Sequence, residues 1–200
     1  FISDQTPLIT VKCPECDCGP WYAYSLTNNG DTLQCLDCKT TWDLDSEDNS
    51  EDWNIQGVIR SYRLKHILGG LESAGLIYQI DGDIVYAETA AVLIERFAEV
   101  FQGYRINRVN RNEWQEENDP YYGKIDGWKQ RDAGAVRPVL LAYDLVRESG
   151  CLSNAQCALI DERLVTYARD YFVESFHNTT TSLEGYNYTE DMSPYLSHHS

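Results

Sequence analysis

The chain has 200 residues, 42% of them apolar, and a formal net charge of −16. That length suffices for one domain of ordinary size plus a small module, and the acidic balance disfavours nucleic acid, whose recognition calls for a basic face. No apolar run approaches the ~18 residues of a membrane-spanning helix, and residues 1–6 carry no basic region leading into an apolar stretch, so no signal peptide is read there. Phe1 in place of an initiator Met points to a processed or incomplete chain.

The first chemistry-bearing motif is the pair Cys13-Pro-Glu-Cys16 and Cys35-Leu-Asp-Cys38, with residues 17–34 between them. A two-residue gap lets two thiolates from one tight turn reach the same tetrahedral ion, and two such turns close the site. Cys13, Cys16, Cys35 and Cys38 are therefore expected to bind a structural zinc ion as a zinc ribbon, with disulfides the alternative. A closed four-thiolate site holds structure and leaves no position open for substrate. Between the knuckles, Trp21 to Leu26 reads as a strand, Asn28-Asn-Gly-Asp31 as a turn, and Thr32-Leu-Gln34 as a returning strand. Thr40 to Leu44 continues as a further strand. The acidic stretch 43–52 marks a seam, dividing a module with its linker (1–52) from a helical part (53–200).

From about Tyr62 the apolar period changes from two to 3.6. Leu64, Ile67, Leu68, Leu71, Gly75 and Tyr78 share one helical face, and Asp81-Gly82-Asp83 breaks the chain. A second helix places Ala87, Ala90, Ile94, Phe97 and Phe101 on its stripe. Residues 102–130 read as irregular, polar and aromatic. A third helix, from about Asp132 to Glu148, turns Val136, Val139, Leu140, Tyr143 and Val146 inward, and Gly150 ends it. Ser153-Asn-Ala-Gln156 fits a capping box for a fourth helix carrying Ile160, Leu164, Tyr167 and Tyr171. Helix pairs on short turns, with longer loops between pairs, describe antiparallel hairpins stacked side by side. The expected fold is thus mainly α: part of an (α/α) toroid or solenoid behind a small β module. Of the remaining cysteines, Cys18 lies beside the first knuckle, while Cys151 and Cys157 read as a disulfide or as two small buried hydrophobes.

The segment Gly75-Leu-Ile-Tyr-Gln-Ile-Asp-Gly-Asp-Ile-Val-Tyr-Ala-Glu-Thr-Ala-Ala-Val-Leu93 resembles the early toroid of heparinase II/III-like, alginate-lyase-like polysaccharide lyases. Ala142-Tyr-Asp-Leu-Val146 followed by Ser149-Gly150 looks like the next hairpin of that family, and a cysteine-paired insertion ahead of the toroid also occurs in some bacterial members. The resemblance implies an (α/α) toroid followed by an antiparallel β-sandwich, periplasmic or secreted location, an acidic polysaccharide or oligosaccharide as partner, and β-elimination. That reaction needs an Asn, His or metal to neutralise the uronate carboxylate, and a Tyr or His pair to move protons. Asn187 is the first candidate for neutralisation and His177, with Asn178, the second, with Tyr188 as a substrate contact. Each also has a plain reading, Asn187 as a turn residue and His177 as a helix-end histidine facing terminal carbonyls. The family's catalytic Tyr and second His are expected beyond residue 200.

In the long loop, Trp114, Tyr121, Tyr122, Trp128 and Arg131 suit sugar stacking and carboxylate recognition, and equally suit loop anchoring. Arg105, Arg108, Arg111, Lys124, Lys129 and Arg131 gather in or beside it, which eases the repulsion between an acidic chain and a polyanion. Two other functions remain open. A toroid glycoside hydrolase would need opposed carboxylates, drawn from Glu113, Glu116, Glu117 and Glu190. A non-enzymatic helical-repeat binding module would need only an exposed apolar face.

Overall fold

Three short strands, β1 (Tyr24–Thr27), β2 (Thr32–Cys35) and β3 (Thr41–Asp43), pair antiparallel in the order β1-β2-β3. The computed structural model describes residues 2–5, 7, 13, 15–18, 24–27, 32–43, 49–50, 53–108, 113–115, 122–125 and 129–173. Register opposes Tyr24 to Cys35 and Leu33 to Trp42. Alternation along β2 buries Leu33 and Cys35, as period-two patterning requires of a sheet with one covered face. Across the β2–β3 pair, Thr32 Oγ1 donates to Asp43 Oδ1 at 2.9 Å. A two-residue ladder, β4 (Asn49–Ser50) with β5 (Trp53–Asn54), then leads into the first helix.

The rest is helical. Helix α1 runs Ile55–Asp81 and α2 Ile84–Phe101. Gly82 closes α1 with φ of 69°, its N–H donating to the Tyr78 carbonyl at 2.8 Å, a left-handed stop that suits glycine. Asp83 caps α2, its carboxylate accepting from Val85 N–H. After a small antiparallel ladder, β6 (Ile106–Arg108) with β7 (Glu113–Gln115), helix α3 spans Lys129–Val146 and ends through a 3-10 turn at Gly150, φ 83°. Helix α4 begins at Asn154–Ile160 with the expected capping box between Ser153 and Gln156, widens into π turns over Asp161–Thr166, and continues as α-helix through residues 167–173.

Helix α1 packs along α3 and against α2, and α2 in turn packs against α3 and α4. One core joins them: Leu64, Leu68 and Leu71 meet Ala87, Ala90, Ile94, Phe97 and Phe101, with Val136, Val139, Tyr143, Val146, Ile160, Leu164 and Tyr171. Arg137 pairs with Glu72 across α1 and α3, and Gln156 Nε2 donates to Glu95 Oε2 across α2 and α4. The expected stripes of all four helices are thus those the core uses. Cys151 and Cys157 are half-buried against it as free thiols, so of the two sequence readings the small hydrophobe holds.

Two boundaries differ from the sequence reading. Helix α1 starts at Ile55 rather than near Tyr62, because Val58 and Ile59 are buried by the β module, not by the helical core. Conversely, Ile2 belongs to the helical core, with Arg96 Nε donating to its carbonyl at 3.0 Å and Tyr104 OH to that of Ser3 at 2.8 Å.

Gly75 sets the approach of α1 to α3. A Cβ there would meet Leu145 Cβ at 3.2 Å and the Ala142 Cα at 3.3 Å. Gly75→Ala is expected to destabilise by about 1 kcal/mol, because overpacking of ~1–3 kcal/mol outweighs the ~0.5–1 kcal/mol gained in helix propensity. Gly70→Ala, with open space around its Cβ, should instead stabilise by about 0.5–1 kcal/mol. Urea unfolding of both variants reads the two signs, and the same sign in both would contradict the close approach.

Candidate metal centre

The two cysteine knuckles share two backbone hydrogen bonds and a left-handed fifth residue. In the first, Asp17 N–H donates to the Cys13 carbonyl at 2.8 Å and Cys13 N–H to the Cys18 carbonyl at 2.9 Å. In the second, Lys39 N–H donates to the Cys35 carbonyl at 3.2 Å and Cys35 N–H to the Thr40 carbonyl at 2.9 Å. The fifth residue of each, Asp17 (φ 54°) and Lys39 (φ 65°), is left-handed. This folding turns both cysteines of a knuckle to one side. The sheet then brings the knuckles face to face, since Cys35 ends β2 and its turn feeds β3.

All four sulfurs of Cys13, Cys16, Cys35 and Cys38 lie within 4.8 Å of one another. Cys13 Sγ and Cys38 Sγ are 3.6 Å apart, and Cys16 Sγ and Cys35 Sγ 3.8 Å. A tetrahedral thiolate site with bonds of about 2.3 Å has edges of about 3.8 Å, so the cluster has the dimensions for one cation. Cys13 and Cys35 are buried beside Tyr24, Leu33, Trp42, Val58 and Ile59, while Cys16 and Cys38 face solvent. The centre therefore fastens the sheet to the first turns of α1. With every position taken by sulfur, it is closed to substrate.

As thiols the cluster titrates unevenly. Burial raises Cys13 to about 12, with backbone N–H groups of Cys16 and Glu15 opposing the shift. Burial also pushes Cys35 upward, but N–H groups of Cys38 and Asp37 and the Cys18 thiol outweigh it, leaving Cys35 lowered to about 6. Cys18 is raised, chiefly because it shares hydrogen bonds with Cys16 and Cys35. Its Sγ stands 3.3 Å from Cys35 Sγ. The centre thus holds five sulfurs, and the sequence reading placed the fifth, Cys18, beside the first knuckle without giving it a role. The signal was available: Cys18 occupies, five residues after Cys13, the place that Thr40 occupies after Cys35.

The loop residues proposed for sugar contact are only partly in view. Tyr122 is half-buried and Arg131 exposed. Trp114 lies on β7, described in its backbone alone, while Tyr121, Trp128, His177, Asn178, Asn187 and Tyr188 lie outside the described residues. The same is true of Arg111, Glu116, Glu117 and Glu190. Two members of the expected basic cluster do not belong to a surface at all. Lys124 and Lys129 are 8% and 1% exposed, folded inward because Asp132, wholly buried, gathers the segment. Its carboxylate accepts from Lys124 N–H at 2.6 Å, Ile125 N–H at 3.0 Å and Tyr171 OH at 3.1 Å. Lys124 Nζ donates to the Gln102 carbonyl at 2.6 Å, and Lys129 Nζ lies 4.6 Å from the Tyr171 ring centre. This polar knot anchors the loop to the helices.

Burial, partly offset by Asp132, lowers Lys124 from 10.5 to about 8. The unfolded chain therefore binds more protons between those limits, and this group's contribution makes stability rise as pH climbs through that window. Lys124→Met should flatten the rise in urea midpoint between pH about 8 and about 10, before the tyrosines titrate. Equal slopes in both proteins would show that Lys124 is not the group responsible.

Comparison with known protein families, with curated proteins and with solved structures finds no match. What the fold and site define is a mainly helical protein with a small three-stranded sheet and an N-terminal four-cysteine cluster of metal-binding dimensions. Among the described residues no helix is long and apolar enough to cross a membrane.

Proposed function

We propose that Cys13, Cys16, Cys35 and Cys38 hold one structural Zn²⁺ as a zinc ribbon, which staples the sheet onto the start of an (α/α) array. The supporting observation is the sulfur spacing of 3.6 and 3.8 Å across the two knuckles. Thiolates favour a soft or borderline ion, and a closed tetrahedral S₄ set suits zinc. Native mass spectrometry of the chain should give one zinc per chain. A metal-free chain, or one holding iron after expression with both metals, would overturn the assignment.

The array is the first part of an (α/α) toroid, and its activity is β-elimination on a uronate-containing glycan, as the likeness to heparinase II/III-like lyases implies. The packing of α1 on α2 and α3, and of α2 on α4, supports this reading, as does the outward face of α2, where Val85 and Val92 stand 58% and 66% exposed. In a toroid that face is covered by a neighbouring hairpin. Asn187 is the proposed neutraliser of the uronate carboxylate, with His177 second. Arg131 and Tyr122 are proposed sugar contacts, with Trp114, Tyr121, Trp128 and Tyr188. In the full-length protein Asn187→Ala should abolish the ultraviolet-absorbing unsaturated product. Hydrolytic products without that absorbance would favour a glycoside hydrolase, and no turnover of any acidic glycan a binding module.

A further inference from the structure

We propose that Cys18 is a thiol switch on the metal centre: oxidation joins it to Cys35 in a disulfide and releases the cation. Release of zinc rests on the zinc reading above; formation of the disulfide does not. The inference comes from the repeated knuckle. In the second knuckle, Thr40 Oγ1 lies 3.3 Å from Cys38 Sγ, within hydrogen-bond reach of a ligand sulfur. In the first, the equivalent place holds Cys18, whose Sγ lies 3.3 Å from Cys35 Sγ. Both side chains can donate a hydrogen bond to a thiolate, and such outer contacts tune metal ligands. Only the thiol can also form a bond to sulfur.

The geometry favours this pair over the others. The 3.3 Å contact is shorter than either ligand contact, 3.6 and 3.8 Å, and shorter than the edge of about 3.8 Å that a shared cation imposes. Closing it to a disulfide of about 2.05 Å therefore moves one sulfur that lies outside the four-cysteine set. Exposure sets the order of events. Cys35 is 0% exposed, whereas Cys18 is partly open to solvent. Of these two, Cys18 is the sulfur that a peroxide, the oxidant class proposed, reaches. Its sulfur, having given its proton to solvent, takes one peroxide oxygen as the O–O bond breaks, leaving a sulfenic acid and hydroxide. Cys35 thiolate then attacks the Cys18 sulfur, the S–S bond forms, and the S–O bond breaks with loss of a second hydroxide. One hydroxide combines with the proton released earlier. The sum is one thiol, one thiolate and one peroxide giving one disulfide, one water and one hydroxide. Cys35 has then committed its electron pair to sulfur, and the closed four-thiolate site of a structural zinc is reduced to three thiolates.

The test uses the zinc-loaded chain, hydrogen peroxide, a chromogenic zinc indicator, and peptide mapping without reduction. Wild type should release zinc with a Cys18–Cys35 cross-link, and a dithiol should reverse both. Cys18→Thr copies the second knuckle and should hold zinc at the same stoichiometry while releasing it at least about tenfold more slowly. Cys18→Ser guards against a misfit of threonine. Equal release rates in wild type and both variants, or a cross-link mapped to Cys13–Cys38 or Cys16–Cys35, would overturn the switch and leave the zinc reading standing. A chain that never binds zinc but still forms the Cys18–Cys35 bond would overturn the zinc reading and the release step, and keep the disulfide.

Discussion

Asp132→Ala is expected to destabilise the protein by about 3–5 kcal/mol, the usual cost of removing one partner from a buried charged network. The carboxylate is wholly buried and takes two backbone N–H groups and a tyrosine hydroxyl. Truncation leaves all three donors without that acceptor in a place where water does not replace it, and each orphaned donor costs ~1–3 kcal/mol. Lys129, 1% exposed at the start of α3, loses a neighbouring negative charge as well. Asp132→Asn keeps one oxygen as acceptor but turns an N–H₂ donor toward other donors, so it should fall between wild type and Ala. Gly123→Ala tests the same knot from the other side, since its Cβ would sit 2.7 Å from all three carboxyl atoms of Asp132. Denaturant midpoints measure all three. A loss below about 0.5 kcal/mol for Asp132→Ala, the range of a surface substitution, would mean that the segment 122–125 is not held by this residue.

The four helices were legible in the sequence because packing and pattern agree there. Ala87, Ala90, Ile94, Phe97 and Phe101 recur at helical spacing and face a single core, and the Ser153 box marks its helix start by residue type alone. The start of α1 was not legible, for a geometric reason. At about 100° per residue, Val58, Ile59 and Tyr62 fall on a side of α1 roughly opposite to Leu64, Leu68 and Leu71. The first group packs on the cysteine module and the second on the helical core. A window that looks for one stripe sees the second and reads the first as loop. Burial of Lys124 and Lys129 was hidden for a different reason. Their charge invites an outward placement, and only the buried Asp132, seven and eight residues from Ile125 and Lys124, turns the loop inward. At the candidate metal centre the clustering of Cys13, Cys16, Cys35 and Cys38 was plain from spacing. Cys18 was not, because its place is defined by the backbone that the two knuckles share.

If the four cysteines hold the proposed zinc, removing it should unfold the β module and spare the helices. The cluster under the cysteines consists of Cys13, Tyr24, Leu33, Cys35, Trp42, Val58 and Ile59, with Cys18 and Tyr62 at its edge. So small a core does not offset the ordering of its strands, which is why modules of this size rely on a staple. A four-thiolate zinc site supplies about 10–16 kcal/mol of binding energy that becomes folding energy. Cys35→Ser is the sharpest single cut. Its sulfur is the most central, opposed by Tyr24 in register and backed by Ile59 in the same cluster. Chelation of the wild type, or that substitution, should remove amide-exchange protection across β1, β2 and β3 and from the first two turns of α1. Protection in α2, α3 and α4 should persist, since their core is built from Phe97, Phe101, Val139, Val146 and Ile160. The module should also stay tethered at both ends, by the Ile2 and Ser3 carbonyls held by Arg96 and Tyr104, and by α1 itself. Retained exchange protection in β2 after complete chelation would show that the sheet stands without the ion. Loss of protection throughout α2 and α3 would show instead that the staple supports the whole chain.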